Sequence, residues 1–311
     1  MTVVSDVDTF LDGIRASGRP SFETLSVADA RSFYRAGRDT VNLPPVDVGA
    51  VLDDSFGGRG GPVKVRRYLP PGTAHGAQPA ILFFHGGGWV IGDLDTHDSI
   101  CRHVVAASGL QVIAVDYRLA PEHRFPAAVE DAIDAHATMV DRAADWGADP
   151  RRIALMGDSA GGALAMVVAM HARDMCLPLP VAQALFYPVA DLRGQTESYA
   201  RIADVPITAR TMAWFRDHYL EHGDQAADWR CSPLLARSYA SLPPSFITIC
   251  GRDPLYDEGK ALAARLYRKG ITVSLRDLPD QIHGYLTLGR ALGEARQSID
   301  AAAAFIRRHT A

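Results

Sequence analysis

The chain of 311 residues carries 32 Lys and Arg against 36 Asp and Glu, and 48% of it is apolar. That length suits one large core with an insertion, and a formal charge of −4 offers no basic stripe to a nucleic acid. No stretch approaches the roughly 20 apolar residues that span a bilayer, and the opening MTVVSDVDTF lacks the basic and apolar regions of a signal peptide, so the expectation is a cytoplasmic protein with no membrane or nucleic-acid partner.

Residues 1 to about 45 hold helical patterns around Thr9–Ile14 and Val27–Gly37 and no strand signal. From residue 63 the pattern changes to short β-type runs: VKVRRYL (63–69), AILFF (80–84), QVIAVDY (111–117), RIALMG (152–157), AQALFYP (182–188), SFITICG (245–251) and TVSLRDL (272–278). Helical stretches such as FPAAVEDAIDAHATMV (125–140) and LYDEGKALAARLYRKG (255–270) lie between most of them. The alternation predicts an α/β fold, a mostly parallel sheet flanked by helices. Residues 192–231 break the rhythm with a long excursion expected to be helical, and with the N-terminal segment they are candidates for a lid. The four cysteines (Cys101, Cys176, Cys231, Cys250) show no CxxC or Cys/His ligand spacing, so free and mostly buried thiols are expected, with no metal.

Gly157-Asp158-Ser159-Ala160-Gly161 fits G-x-S-x-G at the point where a buried strand pattern becomes a helical one. A tight strand-to-helix turn lifts a serine hydroxyl above the sheet, and flanking glycines leave room where side chains would collide. A serine N-cap among packing glycines would give the same five letters, so the context decides for a nucleophile at Ser159. FFHGGGWVIGD (83–93) tests this independently, because three successive glycines cost chain entropy unless a backbone must approach something closely. Amides of such a loop, at Gly87 and Gly88, supply one half of an oxyanion hole, and the amide of Ala160 supplies the other.

The triad order on this kind of fold is serine, acid, histidine. His171 lies on the helix leaving the turn, His218 and His222 in the insertion, and His309 near the chain end, which leaves His283 in DQIHGYLTL as the base. Asp253 in GRDPLYDEG comes off the SFITICG strand at the sheet edge that carries catalytic loops and is the expected acid, ahead of Asp191 and of Asp257 in the next helix. Asp158 precedes the serine and is expected to be structural.

Taken together, HGGGW (85–89), VDYRLAPEHRFPAAVED (115–131), GDSAGG (157–162), FYPVAD (186–191), SPLLA (232–236), DPLYDEG (253–259) and HGY (283–285) resemble the hormone-sensitive-lipase-like family of α/β-hydrolase carboxylesterases, over roughly residues 60–290. The resemblance implies Ser159, Asp253 and His283 as the triad, with Gly87, Gly88 and Ala160 as oxyanion donors and His85 holding the glycine loop. It also implies a helical cap from residues 1–45 and 192–231 over a core of 46–191 and 232–311. Its activity would be hydrolysis of short- to medium-chain acyl esters, a small-molecule ester being the partner and no cofactor being required. Trp89, Met212 and Phe215 are candidates to line the substrate pocket. Family members are often dimers, so a homodimer is compatible with the resemblance, although no residue picks out its surface. Tyr285 stands where Phe is commoner. An amidase or natural-product acetyl-hydrolase would share these catalytic residues, a receptor on the same fold would lack the triad, and a dehalogenase or epoxide hydrolase would want an aspartate at 159.

Overall fold

The computed structural model describes residues 6–72 and 76–311. Its strands are β1 (Ala50–Gly58), β2 (Gly61–Leu69), β3 (Gln78–Phe84), β4 (Gln111–Asp116), β5 (Ala148–Asp158), β6 (Ala182–Phe186), β7 (Ser245–Arg252) and β8 (Val273–Ile282). They form one sheet in the order β1-β2-β4-β3-β5-β6-β7-β8. β1, β2 and β4 pair antiparallel, and every pairing from β4 to β8 is parallel. All seven expected runs are strands. β1 is an additional one, hidden because AVLDDSFGG buries only Phe56 and leaves Leu52 exposed, as an edge strand can.

The helices are α1 (Asp6–Ser17), α2 (Val27–Ala36), α3 (Arg38–Val41), α4 (Asp98–Ser108), α5 (Ala127–Asp141), α6 (Ala160–Asp174), α7 (Glu197–Arg201), α8 (Ala209–Tyr219), α9 (Tyr256–Arg268) and α10 (Glu294–Thr310). Side-chain alternation along β3 divides the interior in two. Leu82 and Phe84 face Val129 of α5, Leu164 of α6 and Leu262 of α9, whereas Ile81 and Phe83 face Ile100 of α4 and Ile299 and Phe305 of α10. Truncating a buried ring such as Phe84 to Ala would cost about 3–5 kcal/mol. Nearly all of α6 is buried, matching a sequence (AGGALAMVVAMHARD) that is apolar around the whole helix. The serine at its start is therefore fixed from behind.

The N-terminal helices agree with the expected patterns, and Ser26 caps α2 by accepting from the Asp29 amide at 3.1 Å. The 192–231 excursion is less helical than expected: α7 has five residues and α8 eleven, separated and followed by turns. Thr208 and Thr211 close a capping box at the start of α8. No helix among the described residues is long and apolar enough to cross a membrane.

Candidate active site

Ser159, Asp253 and His283 each follow the carboxyl end of a parallel strand, β5, β7 and β8 respectively, so the sheet brings three distant stretches of chain to one edge. Ser159 sits at φ 52°, ψ −118°, just before α6. That backbone conformation costs a non-glycine residue on the order of 1–3 kcal/mol, and the neighbouring glycines make it attainable. A Cβ on Gly157 would strike the Gly161 carbonyl, and one on Gly161 would strike the Phe84 carbonyl. The G-x-S-x-G spacing is thus a requirement of backbone closeness.

His283 Nε2 lies 2.9 Å from Ser159 Oγ, and its Nδ1 lies 2.7 Å from Asp253 Oδ2. Asp253 is buried, and its Oδ1 accepts from the Leu255 amide at 2.9 Å. The carboxylate is therefore held by its own turn while it orients the ring. Tyr187, at the end of β6, packs its ring on His283 with centroids 4.8 Å apart. Tyr187 lies within FYPVAD (186–191), and no sequence signal assigns it this contact. Tyr285 follows the histidine turn, is buried, and donates to Ser298 Oγ at 2.8 Å, so its extra hydroxyl is accommodated.

Gly87 and Gly88 have φ of 120° and 59°, and neither amide has a protein acceptor among the described residues. A side chain at Gly87 would meet the Ile91 carbonyl, and one at Gly88 would meet the Phe215 ring. Ala160 opens α6, where a helix leaves its first amides unused. Beneath the loop, the Gly86 amide donates to Asp158 Oδ1 at 2.8 Å, and His97 Nε2 stands 3.3 Å from the same oxygen. Burial opposes the Asp158 charge, but His97, His85 and the Gly86 amide outweigh it and hold the carboxyl below its usual range. His85 stacks on Tyr117 with centroids 4.3 Å apart, and burial pushes its imidazole down to about 4, so it stays neutral and supports the loop from below.

The alternative acids and bases are engaged elsewhere. Asp191 pairs with Arg193 at 2.6 Å, and Asp257 accepts from the Ser198 amide at 2.7 Å. His218 bonds the Trp214 carbonyl, His222 precedes a short 3-10 turn, His309 packs on Phe305, and His171 lies on the far half of α6.

A cavity of about 300 Å³ opens above Ser159 and His283. Gly87 and Gly88 form part of its floor; Phe10, Phe22, Phe33 and Tyr34 come from the N-terminal segment, and Val205, Ile207, Met212 and Phe215 from the insertion. Trp89 is not among the lining residues. With φ at 60° it turns away, is buried, and stacks on Tyr219 with centroids 4.2 Å apart, so closeness in sequence to the glycine loop misled. Phe22, Ile91 and Thr287 line the cavity unanticipated, since only the fold brings them there. Among the described residues, no group of three or more His, Cys, Asp or Glu side chains is placed to hold a metal ion.

A family model described as the alpha/beta hydrolase fold matches residues 81–287. The chain belongs to the hormone-sensitive-lipase-like α/β-hydrolases. Within that family it is 44% identical over 269 residues to the carboxylic ester hydrolase LipN of Mycobacterium tuberculosis, covering 84% of this chain and 71% of that protein. It is 38% identical over 238 residues to an ethyl acetate hydrolase of Pseudomonas putida, covering 76% of this chain and 75% of the other. A solved ester hydrolase from the metagenome of Lake Arreo, complexed with a derivative of bipyridine phosphonate, superposes with a TM-score of 0.95 at 38% identity, covering 99% of both chains. A thermostable esterase from Pseudomonas putida superposes with a TM-score of 0.94 at 30% identity, covering 100% of this chain and 99% of that one.

Proposed function

We propose that this α/β-hydrolase is a serine carboxylesterase acting on short- to medium-chain acyl esters through an acyl-enzyme. The observation that carries the reading is the continuous hydrogen-bonded relay from Asp253 through His283 to Ser159, at 2.7 and 2.9 Å. His283 takes the Ser159 proton as Oγ attacks the ester carbonyl, and Asp253 keeps the ring in the tautomer whose Nε2 accepts it. The amides of Gly87, Gly88 and Ala160 receive the developing oxyanion, each worth about 3 kcal/mol. His283 then protonates the departing alcohol, and a water repeats the sequence on the acyl-enzyme. The ester-hydrolase names of the relatives support ester over amide bonds as the target.

Residues 6–45 and 192–231 form the cap in this reading, the first five residues of the expected 1–45 segment lying outside the described residues, and the apolar lining they contribute to a cavity of about 300 Å³ supports a preference for short and medium acyl groups. Hydrolysis of p-nitrophenyl esters from acetate to palmitate tests it. The expected profile peaks at short or medium length and falls steeply beyond; a rate still rising at palmitate contradicts it. We place the enzyme in the cytoplasm, which its four free thiols support; recovery of the native protein with the membrane or secreted fraction would contradict that.

A further inference from the structure

One wall of the cavity is not apolar. Arg38 opens α3 one turn beyond Tyr34 on α2, and both residues line the cavity that holds Ser159. The Arg38 guanidinium lies 4.1 Å from the Tyr34 ring centroid, its Nε donates to the Tyr34 carbonyl at 3.0 Å, and its Nη1 reaches the Thr287 carbonyl at 3.4 Å. The group is half-buried and makes no ion pair among the described residues.

Among the described residues, the other unpaired arginines close by, Arg19 on the cavity and Arg290 in the adjoining cleft, are exposed, and the remaining cations nearby are paired. Arg15, also on the cavity, pairs with Asp12 and Asp204, and Arg31 and Arg35 on α2 pair with Glu122 and Asp93. Apart from the exposed Asp39, the acidic groups around Arg38 are occupied as well. Glu23 accepts from the Thr211 hydroxyl at 2.8 Å, and Asp158 serves the Gly86 amide and His97. In the surface cleft on the other side of Arg38, Asp95 and Asp98 are bound by Arg66 and Arg102, and Asp39 is exposed. A partly desolvated cation held only by carbonyls and a ring face gains most from an incoming anion.

Its place relative to the triad says which part of the substrate would carry that anion. The leaving alcohol departs next to His283, which protonates it, and Thr287 closes the 3-10 turn (Tyr285–Thr287) that follows His283. Arg38 is tied to the turn that carries His283, whereas Phe215 packs over Gly88 of the oxyanion loop. We propose that Arg38 binds a carboxylate on the alcohol part of the ester, which makes O-acylated hydroxy acids the favoured substrate class. The inference rests on the esterase reading.

The test compares 3- and 4-acetoxybenzoate with the corresponding acetoxybenzamides, which match them in shape but are neutral, using wild type, Arg38→Gln and Arg38→Lys. The expected result is a carboxylate-over-amide preference in kcat/KM that drops about tenfold or more in Arg38→Gln, chiefly through KM, with Arg38→Lys intermediate. The amides should change little. An unchanged preference overturns the inference, and so does an equal loss on both probes, which would make Arg38 a support for the histidine turn. Calorimetric titration of benzoate and benzamide into wild type and Arg38→Gln gives a readout independent of turnover. Binding of benzoate that needs Arg38 supports the anion site even if the acetates are poor substrates, and no difference between the two ligands removes it. Inertness toward neutral p-nitrophenyl esters would be a separate failure, that of the esterase reading itself.

Discussion

On the sheet side of the cavity, backbone touches backbone. Gly157 meets Gly161, Gly161 meets Phe84, Gly87 meets Ile91, and none of these contacts leaves space for a methyl group. On the opposite side, residues from the 3-10 turn at Phe22–Thr24, α2 and α8 meet through rings and long side chains, as where Phe22 lies against both Tyr34 and Phe215 with centroids 6.2 and 6.0 Å apart. The first surface has one arrangement, set by carbonyl positions, and the second can be repacked by rotamer changes. Catalysis should therefore be intolerant of change below the substrate, and chain-length preference should be adjustable from above.

The largest effect expected of the two surfaces comes from the relay. Asp253→Asn should lower kcat by about 10⁴ through the wrong imidazole tautomer while leaving the fold intact. Steady-state kinetics beside a thermal melt checks this, and a loss of only a few-fold would move the acid elsewhere. Gly88→Ala comes next, because it tests a place where the two surfaces touch directly. Its methyl group would strike the Phe215 ring at a positive φ, and displacement of an oxyanion donor should cost about 10²–10³ in kcat. Adding Phe215→Ala should restore part of that loss; strict additivity of the two changes would show that the clash does not run through Phe215.

Met212→Ala alone should act more gently. It lines the cavity from α8, so its removal should shift the preferred acyl chain a few methylenes longer while acetate turnover stays within about tenfold of wild type. Acyl-length profiles decide, and collapse on every substrate would show that the upper surface is as exacting as the lower. The smallest effect comes from buried imidazoles in the core. Burial pushes His85 and His136 down to about 4, so both are neutral in the folded protein, whereas the unfolded chain takes up protons near its ordinary value of 6.5. Stability should fall as pH drops from about 6.5 toward 4, because the unfolded state binds more protons there. His136→Gln should flatten the Tm slope over that interval, and parallel slopes would contradict the assignment.

The same contrast governs what could be read from the amino-acid string. Backbone closeness leaves glycines at fixed spacing, so the turn at Ser159 and the loop at Gly87 and Gly88 were legible, and chain order then selected Asp253 and His283. Strands with both faces buried were legible as apolar runs, whereas β1 buries Phe56 alone and showed no pattern. The upper surface was legible only as a pool of apolar residues. Met212 and Phe215 do line the cavity, but Trp89 was lost to a positive φ that no neighbouring letter announces, and Phe22, Thr287 and Arg38 enter through tertiary contacts that periodicity does not encode.

The measurement that bears most directly on the account is the turnover of a short p-nitrophenyl ester by wild type and by Ser159→Ala. The account predicts ready hydrolysis by the wild type and a kcat lower by on the order of 10⁶ in the variant, with the residual rate set by the oxyanion amides and binding alone. A variant that keeps most of the activity, or a wild type as inert as the variant on every ester, would contradict it.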